Sequence, residues 1–147
     1  CIRDSVREYL SFVCDIKKVK RDKKDAMISK VMRRAKITDV SERLIKNLSK
    51  GYKQRVGIAG AMVVDPEILI FDEPTRGIDV GAKQEIYNLM CKLVEAGKSI
   101  IMISSEMPEL IGMSDRIVVM SNGENAGELS KGEYDQTHLL EMASSKL

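Results

Sequence analysis

Residues 68–75 read Ile-Leu-Ile-Phe-Asp-Glu-Pro-Thr, a continuous apolar run followed by two acids and a proline. An apolar run of this length predicts a strand buried on both faces, as in a parallel sheet. Parallel sheets bind ligands at the carboxyl ends of their strands, so Asp72 and Glu73 lie where a ligand site is expected. Magnesium prefers oxygen ligands and a second acid can orient an attacking water, so this pair suits phosphoryl transfer.

An acidic pair after a strand can also simply cap the turn before Pro74, and the pattern alone leaves both interpretations open. Upstream, residues 48–52 read LSKGY, in which Ser49 suits a helix N-cap and Gly51 follows it. The free amide groups and the dipole of a helix start attract anions. A phosphate is the natural anion for such a site, which favours the phosphoryl-transfer interpretation.

The residues before this strand are predicted to be helical. The expected order is a helix from a Ser5–Glu8 capping box to about Asp15, a solvated connection over 17–24, an apolar helical stripe over 27–35, a short helix over 40–44 and a helix from Ser49 to Asp65. After it we expect a helix over 82–95 closed by Gly97, a second buried strand over 99–104, a short helix over 107–113, a hairpin over 117–129 with a type I′ turn at Asn122-Gly123, and a helical tail over 135–144.

Composition limits the chain to one domain or part of one. The sequence has 147 residues, 44% of them hydrophobic, and contains neither a signal-peptide pattern nor an apolar run long enough to cross a membrane, so a soluble chain is expected. Three widely spaced cysteines suggest neither a disulfide framework nor a zinc site. Met107 and Met113 have helical spacing typical of core residues, and His138 has no neighbours that suggest a role.

Charge is distributed very unevenly. Residues 1–59 hold 17 Lys and Arg against 7 Asp and Glu, whereas residues 60–147 hold 7 against 15. A basic half could attract nucleic acid or an anionic membrane face. Its aromatic residues, Tyr9, Phe12 and Tyr52, form no stacking pattern, so nucleic acid is not expected as a partner.

The sequence resembles the ABC ATPase family. LSKGYKQRV at 48–56 resembles the family's signature, and ILIFDEPT at 68–75 resembles its Walker B strand, at the usual separation. RGIDVGAK at 76–83 resembles the D-loop, and residues 100–120 are similar to the switch strand and its sequel. The resemblance implies an α/β P-loop NTPase with a RecA-like parallel-sheet core. It assigns 1–65 to a helical signature subdomain and 66–147 to a partial ATPase core with a C-terminal hairpin and helix.

The resemblance also implies the role of each site residue, with ATP and Mg²⁺ as cofactors. Glu73 would be catalytic and Asp72 would bind magnesium, with Asp79 and Ser105 serving the same nucleotide. Ser49, Lys50 and Gly51 would bind the phosphate of a nucleotide held by a second cassette. Ser105 stands where the family has its switch histidine, and a hydroxyl cannot replace an imidazole, so slow hydrolysis is expected.

The finer resemblance differs between the two ends of the chain. Residues 60–129 resemble the second ATP-binding half of double-cassette importers of ribose and galactose, whereas residues 1–58 resemble single-cassette exporters. A mosaic gene and drift within one subfamily both explain this difference. The leading hypothesis is an ATPase that couples hydrolysis to monosaccharide import; an exporter ATPase and a non-catalytic cassette that completes a partner's site are the alternatives.

The implied partners are a second ATPase cassette, transmembrane permease subunits and, indirectly, a periplasmic or surface sugar-binding protein. The implied location is cytoplasmic, on the inner face of the cell membrane. No G-x-x-x-x-G-K-S/T motif occurs in these residues, so the Walker A portion is expected to be missing and the chain to begin within the domain. Without those amides and that lysine, we expect weak ATP binding or none by the chain alone.

Overall fold

The structure is a computed structural model that describes residues 4–144. The elements in chain order are α1 Val6–Ile16, α2 Arg21–Arg34, 3-10 turns Thr38–Val40 and Ile45–Asn47, α3 Lys50–Met62, β1 Ile68–Asp72, α4 Val80–Glu95, β2 Ser99–Ile103, α5 Met107–Met113, β3 Arg116–Ser121, β4 Glu124–Ser130 and α6 Gln136–Ser144. The chain divides into two compact units, Cys1–Ile101 and Met102–Leu147. The boundary predicted at residue 65 falls inside the first unit, where helices give way to β1, and stays a prediction.

The capping box predicted for α1 is confirmed. The Glu8 amide donates to Ser5 Oγ at 3.3 Å, and the Ser5 amide donates to Glu8 Oε2 at 2.7 Å. These two bonds satisfy donors that a helix start otherwise leaves unpaired. The helix buries Val6, Leu10 and Cys14 completely, and burial raises the pKa of the Cys14 thiol, which keeps it protonated.

Two predictions for the helical region are wrong. The connection expected over 17–24 is shorter, because α2 already begins at Arg21; lysine and arginine are good helix formers even where they cannot be buried. The helix expected over 40–44 does not form. Its backbone bonds instead to the start of α1, with Val6 donating to the Arg43 carbonyl and Ile45 donating to the Asp4 carbonyl, both at 3.1 Å.

Strands β1 and β2 form a two-stranded sheet joined by the crossover helix α4. The predicted strands are confirmed, but their predicted burial on both faces is wrong. Leu69 and Phe71 are buried, whereas Ile68 and Ile70 are 59% and 68% exposed. Within residues 4–144 only one face of β1 is covered, so an apolar run alone did not reveal which face packs.

The second unit contains the predicted hairpin. Strands β3 and β4 pair antiparallel, with Ser121 opposite Glu124, and the turn residues Asn122 and Gly123 have φ values of 49° and 80°. Two successive positive φ values are those of a type I′ turn, so the prediction is confirmed. Helix α6 packs on β3 around a small core. That core consists of Ile117, Val119 and Leu139.

Candidate functional site

The acidic pair lies where β1 ends and the chain turns. Asp72 is the last residue of the strand and is exposed, and Glu73 follows it half-buried with φ 46°. The turn is held by hydrogen bonds from the Arg76 amide to the Glu73 carbonyl at 3.2 Å and from the Ile78 amide to the Thr75 carbonyl at 3.1 Å. A non-glycine residue in the left-handed region costs about 1 kcal/mol or more, and such residues cluster at functional sites.

The predicted anion site lies at the start of α3. Ser49 is the N-cap and accepts a hydrogen bond from the Tyr52 amide at 3.4 Å. Ser49 and Lys50 are exposed, whereas Gly51 is buried. The first turn of α3 contains no acidic residue, so Lys50 adds positive charge to the positive end of the helix dipole. An anion bound here would relieve that unfavourable arrangement.

Two glycines bring the start of α3 against the segment that follows Glu73. A Cβ on Gly51 would lie 2.7 Å from Ala82 Cβ and 3.6 Å from Ile78 Cγ2. A Cβ on Gly77, whose φ is 67°, would lie 2.5 Å from Lys50 Nζ. Side chains at either position would therefore push the two segments apart. The structure thus places the start of α3 directly on the turn after the acidic pair.

Sequence reasoning missed this contact. It treated Gly51 only as a phosphate-binding residue and gave Gly77 no role. The available signal was the presence of glycines 51 and 77 in two segments that both match functional motifs. Close approach of two backbone segments is a recognised reason for a glycine, but a single sequence does not show which segment approaches it.

Asp79 has a clear structural role. It is the N-cap of α4, and its Oδ1 accepts a hydrogen bond from the Ala82 amide at 2.9 Å. An aspartate at this position satisfies a free amide and interacts favourably with the helix dipole. Its expected role at the nucleotide stays a prediction.

Ser105 lies in the second unit, between β2 and α5, and is exposed. The start of α3, Asp72, Glu73 and Asp79 all lie in the first unit, whereas Ser105 lies in the second. Its neighbour Ser104 donates to Glu109 Oε2 at 2.5 Å and accepts from the Glu106 amide at 3.1 Å. Glu109 is buried, and this serine–glutamate pair, absent from the sequence prediction, shapes the start of α5.

The acidic pair fits magnesium as it is bound beside nucleotides. Among residues 4–144, no group of three or more His, Cys, Asp or Glu side chains is placed to hold a metal ion. Magnesium at phosphate-transfer sites typically uses one or two carboxylates together with water and phosphate oxygens. An exposed Asp72 beside Glu73 provides that donor set.

Comparison with known families and structures identifies similar proteins. Residues 3–76, half of the chain, match the ABC transporter family. The solved structure of CbiO1 from Clostridium perfringens, described as part of the ABC transporter complex CbiONQ, has a TM-score of 0.80 and 30% identity. The similarity covers 89% of this chain and 53% of CbiO1. No helix among residues 4–144 is long and apolar enough to cross a bilayer.

Curated relatives are import ATP-binding proteins. The ribose import ATP-binding protein RbsA of C. perfringens (strain SM101 / Type A) is 54% identical over 106 residues, 72% of this chain and 21% of RbsA. RbsA of Clostridium tetani is 47% identical over 129 residues, 87% of this chain and 26% of that protein. The galactose/methyl galactoside import ATP-binding protein MglA of Vibrio cholerae is 55% identical over 103 residues, 70% of this chain and 20% of MglA. The chain spans about a fifth to a quarter of the length of these relatives.

Proposed function

The chain belongs to the ABC transporter family of ATP-binding proteins, and we propose that it is part of a subunit that couples ATP hydrolysis to monosaccharide import. The observation that carries this proposal is the packing of the start of α3 on the turn after the acidic pair, through Gly51 and Gly77. Two segments expected to handle phosphate therefore lie together in one compact unit.

The acidic pair performs the chemistry in this proposal. Glu73 orients the attacking water and accepts its proton as the water oxygen bonds to the γ-phosphorus of ATP. The bond between that phosphorus and the β–γ bridging oxygen breaks, so ADP leaves and inorganic phosphate is formed. Asp72 holds magnesium, which when bound neutralises charge on the phosphate oxygens. Asp79 serves the same nucleotide, and Ser105 stands at the position where the family has its switch histidine. Because a serine hydroxyl does not titrate near neutral pH as an imidazole does, turnover is slow.

The start of α3 serves a nucleotide held by a second cassette. There the Ser49 hydroxyl, the Gly51 amide and the Lys50 ammonium group meet the terminal phosphate. Two such cassettes close on ATP and drive transmembrane permease subunits, with a periplasmic or surface sugar-binding protein acting indirectly. In this scheme the protein works in the cytoplasm, on the inner face of the cell membrane.

Monosaccharide import is supported by the extent of the similarity to sugar importers. The match to C. tetani RbsA covers 129 of 147 residues, so it extends to both sides of the charge boundary near residue 60. Most of the exporter-like residues 1–58 therefore fall in a region that also matches an importer, because a match of 129 residues leaves at most about 18 residues uncovered. Ribose and galactose are the cargoes named for the relatives, and a sugar of this class is proposed here.

Hydrolysis is tested by joining the chain to the P-loop-containing half of a C. tetani RbsA cassette and measuring ATP turnover. Glu73→Gln is expected to lower turnover by about 10²- to 10⁴-fold while nucleotide binding persists. Glu67→Gln is the matched control, because Glu67 is an exposed acid immediately before β1, at the opposite end of the strand. Equal turnover in the parent and the Glu73 variant would return the acidic pair to a turn-capping role.

A further inference from the structure

The turn between α1 and α2, together with the first turn of α2, carries an unusual concentration of positive charge. Five basic side chains, all exposed, lie within seven residues, and we call them the basic turn. They are Lys17, Lys18, Lys20, Arg21 and Lys23. None of them forms an ion pair with another residue in the described range 4–144.

Acidic residues nearby are already engaged. Both carboxylate oxygens of Asp15 accept hydrogen bonds from Lys24 Nζ at 2.8 Å. Asp25 Oδ1 lies 3.8 Å from Arg7 Nη1. Asp22 is the one acid within the basic turn itself. The basic turn therefore keeps a clear excess of positive charge facing the solvent.

An exposed apolar pair adjoins these cations. Phe12 is 50% exposed and Ile16 is 60% exposed. The two residues are four positions apart on α1 and so share one face of the helix, and Ile16 immediately precedes Lys17. Cations beside an exposed apolar helix face are the pattern of a surface that lies on a membrane.

We propose that the basic turn and the Phe12–Ile16 face bind the surface of a bilayer containing anionic phospholipid. The cations lie over the headgroups, and the apolar pair enters the boundary between headgroups and acyl chains. Each Lys or Arg near an anionic membrane surface strengthens partitioning roughly fivefold. Nucleic acid fits less well, because a phosphate backbone would leave Phe12 and Ile16 in water and a single aromatic residue offers no stacking platform.

The experiment measures co-sedimentation of the 147-residue chain with vesicles of phosphatidylcholine alone and of phosphatidylcholine mixed with phosphatidylglycerol. Binding is expected only with phosphatidylglycerol and is expected to weaken as salt is added. Replacing Lys17, Lys18 and Lys20 together by glutamine is expected to weaken partitioning about 10²-fold. A matched triple variant removes three exposed lysines elsewhere. It carries Lys46→Gln, Lys53→Gln and Lys131→Gln.

The apolar pair is tested separately. The double variant Phe12→Ser and Ile16→Ser is expected to lose the part of the binding that resists high salt, because only burial of apolar surface is insensitive to screening. Circular dichroism checks that every variant keeps its helical content. Equal binding to both kinds of vesicle, or an equal loss in the matched triple variant, overturns the proposal. So does binding of RNA or of an acidic peptide at protein concentrations where phosphatidylglycerol vesicles are not bound.

Discussion

Replacing Gly51 by alanine tests the contact between α3 and α4 most directly. The new Cβ would lie 2.7 Å from Ala82 Cβ, whereas apolar carbon atoms rest at about 3.5–4.0 Å. One segment must move by about 1 Å, and overpacking of this kind costs about 1–3 kcal/mol. Alanine also favours the helix over glycine by up to about 1 kcal/mol. The expected net result is a loss of up to about 2 kcal/mol in the free energy of unfolding.

Gly57 provides the matched control, because it lies in the same helix and an added Cβ would have no atom within 4 Å. Gly57→Ala is expected to stabilise the chain by about 0.5–1 kcal/mol. In the background of Gly51→Ala, the second change Ala82→Gly removes the clashing methyl, so the double-mutant cycle should show a favourable coupling of about 1–3 kcal/mol. Urea unfolding followed by circular dichroism measures the free energy of unfolding of Gly57→Ala, Gly51→Ala, Ala82→Gly and the double variant at positions 51 and 82. If Gly51→Ala stabilises as much as Gly57→Ala, the close contact does not exist.

Three further predictions concern the same unit. Ser5→Ala removes the cap of α1 and is expected to cost about 1 kcal/mol in urea unfolding; an unchanged midpoint would contradict the capping box. Hydrogen bonding from Lys98 lowers the pKa of Asp65, so this carboxylate stabilises the fold above about pH 4 and the contribution is lost as the pH falls through the depressed pKa. Because Asp65 is partly exposed, Asp65→Asn should cost only about 0.5–1 kcal/mol at pH 7, and the cost should shrink as the pH falls through the depressed pKa. A cost that does not change with pH would argue against the ion pairs. Gly77→Ala should cost about 0.5–2 kcal/mol less in a Lys50→Ala background than in the parent chain. The positive-φ strain is the same in both backgrounds, and only the contact with the ammonium group is removed. Additive effects of the two substitutions would show that Lys50 does not lie over Gly77.

Local signals predicted the helices that begin with caps. The Ser5–Glu8 box, Ser49 and the closing Gly97 each act through their own neighbours, so their effect can be read within a few residues. The Asn122-Gly123 turn is equally local. The helix predicted over residues 40–44 does not form, because hydrogen bonds link this segment to residues 4–7. That pairing depends on tertiary structure and not on helical periodicity.

The candidate site was predicted as separate pieces but not as an assembly. Hydrophobic patterning and the acidic pair placed Asp72 and Glu73 at the end of a strand, and the structure confirms that position. Nothing in the sequence indicated that Ile70 would be exposed while Phe71 is buried, because a run of four apolar residues gives the same pattern for either face. The contact of Gly51 with Ala82 depends on how two elements pack, which no single stretch encodes.

That contact has a consequence for how two nucleotide sites would influence each other. In the proposed scheme the start of α3 meets a nucleotide on the opposite cassette, whereas Glu73 acts on the nucleotide of its own cassette. Because Gly51 leaves no space between α3 and α4, and Lys50 lies over Gly77, a shift of the α3 start is passed to the turn after Glu73 rather than absorbed. The Lys50 ammonium group can lie over Gly77 and contact a phosphate at the same time only if that phosphate is close to Gly77. If the phosphate is close to Gly77, its binding by Lys50 would hold that turn in place; if it is not, Lys50 would leave Gly77 and release the turn. The coupling free energy between Lys50 and Gly77, measured with and without nucleotide, distinguishes these two outcomes.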